Sequence, residues 1–171
     1  MKCANARSLS SLPPHINETL ETPVNAPLPP DEGFERMLRG TLYGVMQWQQ
    51  LTALWQKVDA QAGWYLYAVG QAVPMSVADA EHVHQFVAQL DTLLRQEHHE
   101  DYCGIVYADD LEHPTFIKIY DPNHLGSSCG SSKTPTLPGW IMSQIPPTEL
   151  VTSPVPQGRQ RWWKNFLASL R

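Results

Sequence analysis

One thiol lies in a loop built from glycine and serine, and this loop is the stretch whose residue types most suggest chemistry. Cys129 stands in the middle of residues 126–132, and all the remaining residues of this segment are glycine or serine. Their backbone amides are free to face an anion. A cysteine becomes nucleophilic when a cation or amide donors stabilise its thiolate. His124 precedes it in the same segment. We therefore predict Cys129 and His124 as candidate catalytic residues.

The same loop is the candidate ligand site of the sequence. Its small residues would contact a ligand through their backbone amides, and the lysine that follows would add a positive charge. These predicted ligand-binding residues are Gly126, Ser127, Ser128, Gly130, Ser131 and Lys133. The chain has no phosphate loop, nucleophile elbow or dinucleotide-binding motif. A simple turn with an incidental cysteine is therefore an alternative explanation of the loop composition. Whether the protein is an enzyme therefore stays open.

Histidines and acids are concentrated in the middle of the chain, which raises the question of a metal site. Six of the seven histidines fall within residues 82–124, and imidazole, thiolate and carboxylate groups are the usual ligands of zinc and redox metals. No pair has a recognised ligand spacing, so a site would form only if the fold gathered distant residues. The candidates are His98, His99, Cys103, His113, His124 and Cys129. We assign no metal ligand and no cofactor from the sequence.

Charge is distributed unevenly along the chain. The net charge is −5, but residues 79–121 hold ten acidic and two basic residues, a local charge of −8. The last thirteen residues carry four basic residues and no acidic side chain. Binding to nucleic acid needs a basic surface on the folded part, and this sequence has the opposite sign there. The contrast favours a basic tail that contacts either the acidic surface of its own chain or an acidic partner.

The tail combines these cations with aromatic residues. On a helix, Trp163, Phe166, Leu167 and Leu170 form one apolar stripe with basic residues around it. Such a helix can dock on its own domain, on another protein, or on an anionic membrane surface. The predicted partner-binding residues are Arg159, Arg161, Trp162, Trp163, Lys164, Phe166, Leu167 and Leu170.

Apolar spacing predicts the elements that would position these groups. One long helix is expected over residues 31–58 and a second from a capping box that begins at Ser76 to about residue 97, and strands are expected near residues 64–69, 103–107, 115–120 and 140–145. We therefore predict an α+β domain with a mostly antiparallel four-stranded sheet and two main helices on one face. The element order is α-β-α-β-β-β followed by an amphipathic tail helix.

Composition also predicts the boundaries of the domain and its compartment. Residues 1–30 form a proline-rich arm, residues 31–150 the α+β domain, and residues 151–171 a linker with the tail helix. An odd number of widely spaced cysteines and the absence of a signal-peptide pattern favour the cytoplasm. The sequence contains no apolar run of about 18 residues, so we predict no transmembrane segment.

Two functional hypotheses follow from these patterns. The first is a small cytosolic accessory or assembly protein that acts by binding another protein, without catalysis. Its support is the charge contrast between body and tail and the lack of a catalytic motif. The alternative is a thiol-dependent or metal-dependent enzyme, or a small-ligand binder, that uses the loop at residues 120–133.

Overall fold

Four helices surround a five-stranded sheet in the computed structural model, which describes residues 30–125, 136–150 and 157–169. The elements, in chain order, are α1 (Pro30–Arg39), β1 (Tyr43–Val45), α2 (Trp48–Lys57), β2 (Tyr65–Ala68), α3 (Ala80–Glu97), β3 (Val106–Ala108), β4 (Phe116–Ile119), β5 (Trp140–Ser143) and α4 (Gln157–Ser169). A single 3-10 turn, Pro122–His124, follows β4. The predicted arm at residues 1–29 lies outside the described residues.

Every strand pair in the sheet is antiparallel, and the order across it is β1-β3-β4-β5-β2. The α+β class with an antiparallel sheet is therefore confirmed, although the sheet has five strands and not the predicted four. β1 and β2 are the edge strands, so each pairs on one side only among the described residues.

The additional strand comes from a segment that was predicted to be helical. The expected long helix over residues 31–58 is wrong, because α1 ends at Arg39, β1 follows, and α2 begins at Trp48. Two glycines explain the break. A Cβ atom on Gly40 would lie 2.9 Å from the carbonyl oxygen of Arg36, and one on Gly44 would lie 3.1 Å from a ring carbon of Tyr107. Gly44 therefore lets β1 pair closely beneath the Tyr107 ring.

Helices cover both faces of the sheet, which corrects the prediction that they share one face. Side chains alternate along each strand, so the sheet has two buried layers. The larger core joins α2, α3 and α4 to one face, with Leu51, Phe86 and Phe166 among its buried members. The smaller core joins α1 to the other face through Phe34, whose ring contacts Phe116 with centroids 5.6 Å apart.

Helix α3 shows how local sequence sets a boundary. It begins immediately after Asp79, three residues later than the predicted cap at Ser76, and the carboxylate of Asp79 accepts a hydrogen bond from the backbone amide of His82 at 2.9 Å. This is a standard N-cap, since it satisfies one amide that the helix itself cannot pair. The hydrogen bonds from His82 lower the pKa of Asp79 below its ordinary value. Five buried residues then line one side of the helix: Val83, Phe86, Leu90, Leu93 and Leu94.

Candidate functional site

The predicted thiol site falls almost entirely on residues that the structure does not describe. Cys129 and the predicted ligand-binding residues Gly126, Ser127, Ser128, Gly130, Ser131 and Lys133 lie outside the described ranges. His124 is described, and it is exposed at the end of the 3-10 turn. The roles of all eight residues therefore stay predictions.

The two ends of that loop come close together at Asp121. This residue is buried, and its carboxylate accepts a hydrogen bond from the backbone amide of Asn123 at 2.9 Å. On the far side of the loop, a Cβ atom on Gly139 would lie 3.1 Å from the Cβ atom of Asp121. Glycine at position 139 thus allows the backbone after the loop to lie directly against Asp121.

Arg159 of the tail helix binds this same aspartate. Its Nε donates to Oδ2 of Asp121 at 2.5 Å, its Nη1 donates to Oε1 of Glu97 at 3.2 Å, and its Nη2 donates to both carboxylates. The guanidinium also lies over the ring of Trp140, 5.5 Å from its centroid. Burial alone would lower the pKa of Arg159, but the hydrogen bonds to Asp121 and Glu97 outweigh this and raise the pKa above its ordinary value. Arg159 is therefore a permanent cation that links α4 to α3 and to the end of β4.

The tail aromatics pack against their own domain. Trp163 and Phe166 are buried, and the ring of Phe166 contacts that of Phe86 with centroids 5.4 Å apart. Trp162 is half-buried against Trp140. Docking on its own domain, one of the three possibilities that the sequence left open, is thus the arrangement in this structure.

The structure describes the side chains of two of the four remaining predicted partner-binding residues. Arg161 and Lys164 are exposed on α4. The side chain of Leu167 and the whole of Leu170 lie outside the described residues. A partner-binding role for the tail stays a prediction. The side chains available to a partner without movement of α4 would be those of Arg161 and Lys164.

The predicted metal candidates that the structure describes do not form a metal-binding cluster. His98 and Cys103 are buried, whereas His99 and His113 are exposed. Among residues 30–125, 136–150 and 157–169, no three histidine, cysteine, aspartate or glutamate side chains are grouped so that they could hold a metal ion. The Nε2 atom of His98 is buried without a hydrogen-bond partner, and its ring lies between Trp48 and Tyr102.

Burial makes Cys103 a poor nucleophile, and this gives a first testable prediction. Its side chain is inaccessible, and burial raises the pKa of the thiol above its ordinary value. In the folded protein at pH 8, iodoacetamide should label Cys103 at least ~100-fold more slowly than in denaturant, because labelling must wait for local opening. Peptide mass spectrometry over a time course measures the rate.

The same experiment separates the two interpretations of Cys129. If Cys129 in the folded protein reacts faster than in denaturant, the predicted thiol site gains support, because an activated thiolate is what such a site requires. Reaction no faster than that of the denatured chain would leave a plain turn. Equal labelling of Cys103 in both states would contradict the packing around β3.

In the acidic loop between β3 and β4, two carboxylates accept hydrogen bonds from backbone amides of the loop and of β4. Oδ1 of Asp109 accepts from the backbone amides of Thr115 and Phe116, each at 2.9 Å. Oδ1 of Asp110 accepts from those of Glu112 and His113, and these bonds lower the pKa of Asp110. The two adjacent carboxylates therefore shape a turn and are not arranged as an acid-base pair.

A shallow groove between α3 and α4 has a volume of about 360 Å³. The residues that line it are Ala88, Gln89, Thr92, Leu93, Gln96, Glu97 and Trp162. Glu97 is the only ionisable side chain among them, and it already binds Arg159. The groove therefore offers no pair of groups for acid-base or nucleophilic chemistry.

The surface that sequence reasoning missed lies along β1, and we call it the β1 edge. Its three exposed large side chains are Tyr43, 59% exposed, Met46, 51% exposed, and Tyr102, 47% exposed. Backbone hydrogen bonds hold these segments together, since the amide of Cys103 donates to the carbonyl of Met46 at 2.9 Å. Tyr107 lies beside them, with its hydroxyl donating to the carbonyl of Gly104 at 3.1 Å.

The β1 edge carries no charge of its own. Residues 40–56 contain no acidic or basic side chain, whereas natural edge strands usually carry a charged residue or a proline that blocks further pairing. Glu100 and Asp101 stand next to Tyr102, and both are exposed. The carbonyl of Glu100 accepts a hydrogen bond from the indole of Trp48 at 3.2 Å, which fixes this acidic pair near the start of α2. The uncharged stretch was visible in the sequence, but the prediction of a helix there concealed the edge.

Comparison of the chain with protein-family models, with curated protein sequences and with solved structures found no match. Within the described part of the chain, none of the helices has the length and apolar character needed to cross a membrane.

Proposed function

We propose that this chain is a small accessory or assembly protein that acts by binding another protein and has no catalytic activity of its own. The observation that carries the proposal is the β1 edge, where large apolar side chains are exposed beside a strand that is uncharged and, among the described residues, paired on one side only. Exposed apolar surface of this kind is typical of protein interaction sites. We therefore assign the binding role to the β1 edge.

This assignment differs from the one that the sequence favoured. Two of the four residues of the apolar stripe of the tail are used within the chain, because Trp163 and Phe166 contribute to the larger core. A partner that needed those side chains would first have to displace α4 and separate Arg159 from Asp121. The β1 edge requires no such rearrangement, and it is the better candidate for that reason.

Site-specific crosslinking in the cells that naturally produce the protein tests the proposal. A photoreactive phenylalanine analogue replaces Tyr43 in one variant and Met75 in a control variant. Met75 is 93% exposed and follows β2, the opposite edge of the sheet. We expect one discrete protein adduct from position 43 and none from position 75.

A second substitution makes the comparison sharper. Met46→Lys places a charge on the β1 edge without disturbing the core, since this side chain is half exposed. It should reduce the adduct from position 43 by roughly fivefold or more, as expected when a central apolar contact is lost. Identical adducts from positions 43 and 75, or none from position 43, would contradict the proposal.

A further inference from the structure

We infer that the β1 edge binds an extended, basic segment of its partner, which adds a sixth strand to the sheet beside β1. This inference rests on the proposed function, and it specifies the chemistry of the partner. The features that support it are the side of β1 that no described strand pairs with, the exposed side chains of Tyr43 in β1 and of Met46 directly after it, and the acidic pair Glu100 and Asp101 at one end.

The position of β1 in the sheet favours strand addition. β1 is the first strand in the order β1-β3-β4-β5-β2, and its register with β3 pairs Tyr43 with Ala108 and Val45 with Val106. A strand on its free side would lie about 4.8 Å away and place its side chains beside those of β1. Recognition by strand addition takes affinity from main-chain hydrogen bonds and specificity from alternate side chains.

The exposed side chains of Tyr43 in β1 and of Met46, which follows it, fit an incoming strand on both faces. Along a strand, side chains alternate, so Tyr43 projects on the face of buried Val45, and Met46 projects with Gly44 on the other face. Large apolar residues on each face of the new strand would become cross-strand neighbours of Tyr43 and Met46. Such cross-strand pairs stabilise sheets.

The second requirement on the incoming strand is a positive charge. Most acids near Glu100 and Asp101 already have partners, since Glu97 and Asp121 bind Arg159 and Asp91 binds Arg95. Glu100 and Asp101 are exposed, and the described residues place no cation in an ion pair with either. A lysine or arginine on the incoming strand would complement them.

The chain contains an internal example of this recognition. Arg159 is held by two carboxylates and lies over the aromatic face of Trp140. The acidic pair Glu100 and Asp101, next to the exposed ring of Tyr102, offers the same types of group to a partner. A guanidinium suits this combination because it binds carboxylates in two places and stacks on aromatic rings.

A second copy of the chain is a poorer occupant of the β1 edge. It would present the same uncharged residues 40–56, so its own β1 would bring no cation to Glu100 and Asp101.

A displayed library of random peptides about nine residues long, selected on the purified full-length chain, tests the inference. We expect the enriched peptides to share lysine or arginine with large apolar residues at alternate positions. A synthetic peptide from this set should slow hydrogen exchange at those backbone amides of β1 that face away from β3 when it binds.

Charge reversal gives the matched comparison. Replacing both Glu100 and Asp101 by lysine should weaken binding of the synthetic peptide by roughly tenfold or more, because both ion pairs become repulsions. The control variant Glu32→Lys/Glu149→Lys has the same total change in charge at two exposed positions, and it should bind the peptide within about twofold of the wild type.

The outcomes separate this inference from the proposed function. Four outcomes would overturn the inference. Two concern the selection, namely enrichment of acidic peptides or no enrichment at all. The other two are peptide binding that both double variants weaken equally, and exchange protection at α4 but not at β1. If crosslinking at position 43 still captured one protein, the proposed function would stand while the extended basic segment would be wrong. If the basic peptide protected β1 but no adduct formed at position 43 in cells, the β1 edge would bind such segments while the proposed function failed.

Discussion

Replacing Arg159 by alanine is expected to lower the free energy of unfolding by about 3 kcal/mol, because it leaves two carboxylates without their cation. Asp121 is the larger contributor, since its side chain is only 6% exposed in the ion pair. Glu97 is 35% exposed and keeps part of its hydration, which holds the expected loss near the lower end of the range of about 3–5 kcal/mol for broken buried pairs. Equilibrium unfolding in urea at pH 7 measures the change.

Arg161→Ala is the control for this measurement. Arg161 lies on the same helix with an exposed side chain, so its replacement should change the free energy of unfolding by no more than about 0.5 kcal/mol. An Arg159→Ala variant that loses no more stability than Arg161→Ala would mean that the guanidinium is solvated in solution and does not hold the tail helix in place.

Phe166→Ala is expected to have an effect of similar or larger size, a loss of about 3–5 kcal/mol in the free energy of unfolding. The side chain is 1% exposed and packs against the rings of Phe86 and Trp163. Its removal leaves a cavity between α3 and α4 that the surrounding rings cannot fill without moving. The same urea titration measures the loss.

Asn165→Ala, at the preceding exposed position, is the matched control and should be nearly neutral. If Phe166→Ala were equally neutral, the tail would not be packed in solution, and its aromatic residues would return to the set of candidate partner contacts. The losses for Arg159→Ala and Phe166→Ala should not add, because both residues attach the same helix to the domain.

Sequence patterns predicted those elements whose conformation is determined by residues within the element itself. Helix α3 has its apolar residues at helical spacing, and the structure places it at Ala80–Glu97. Strands β4 and β5 also lie within the segments that alternating or β-branched residues predicted, and β3 extends one residue beyond its segment, to Ala108. In these cases the buried side of the element could be identified without knowledge of its neighbours.

The segment around β1 was mispredicted because its conformation depends on a distant residue. Apolar residues on either side of β1 continue the helical spacing of α1 and α2, so periodicity alone favours one long helix. Gly44 pairs with Tyr107, and the ring of Tyr107 occupies the space above that glycine. Only the paired sheet reveals this contact, and the candidate binding edge was hidden along with the strand.

The contacts of the tail were predictable in kind but not in detail. An acidic middle segment and a basic terminus indicate attraction between them, and the structure realises it at Arg159. The sequence could not identify Asp121 and Glu97 among ten acids, because the end of α3 and the end of β4 meet only in the folded sheet. The thiol loop at residues 126–132 stays a prediction.

The central claim is that a partner binds through the β1 edge, while the tail helix belongs to the fold. The most direct test is to compare the photoreactive residue at position 43 with the same residue at position 164, on the exposed side of α4. We predict that position 43 captures a protein partner and that position 164 captures none. Capture at position 164 with none at position 43 would contradict the claim and assign partner binding to the tail.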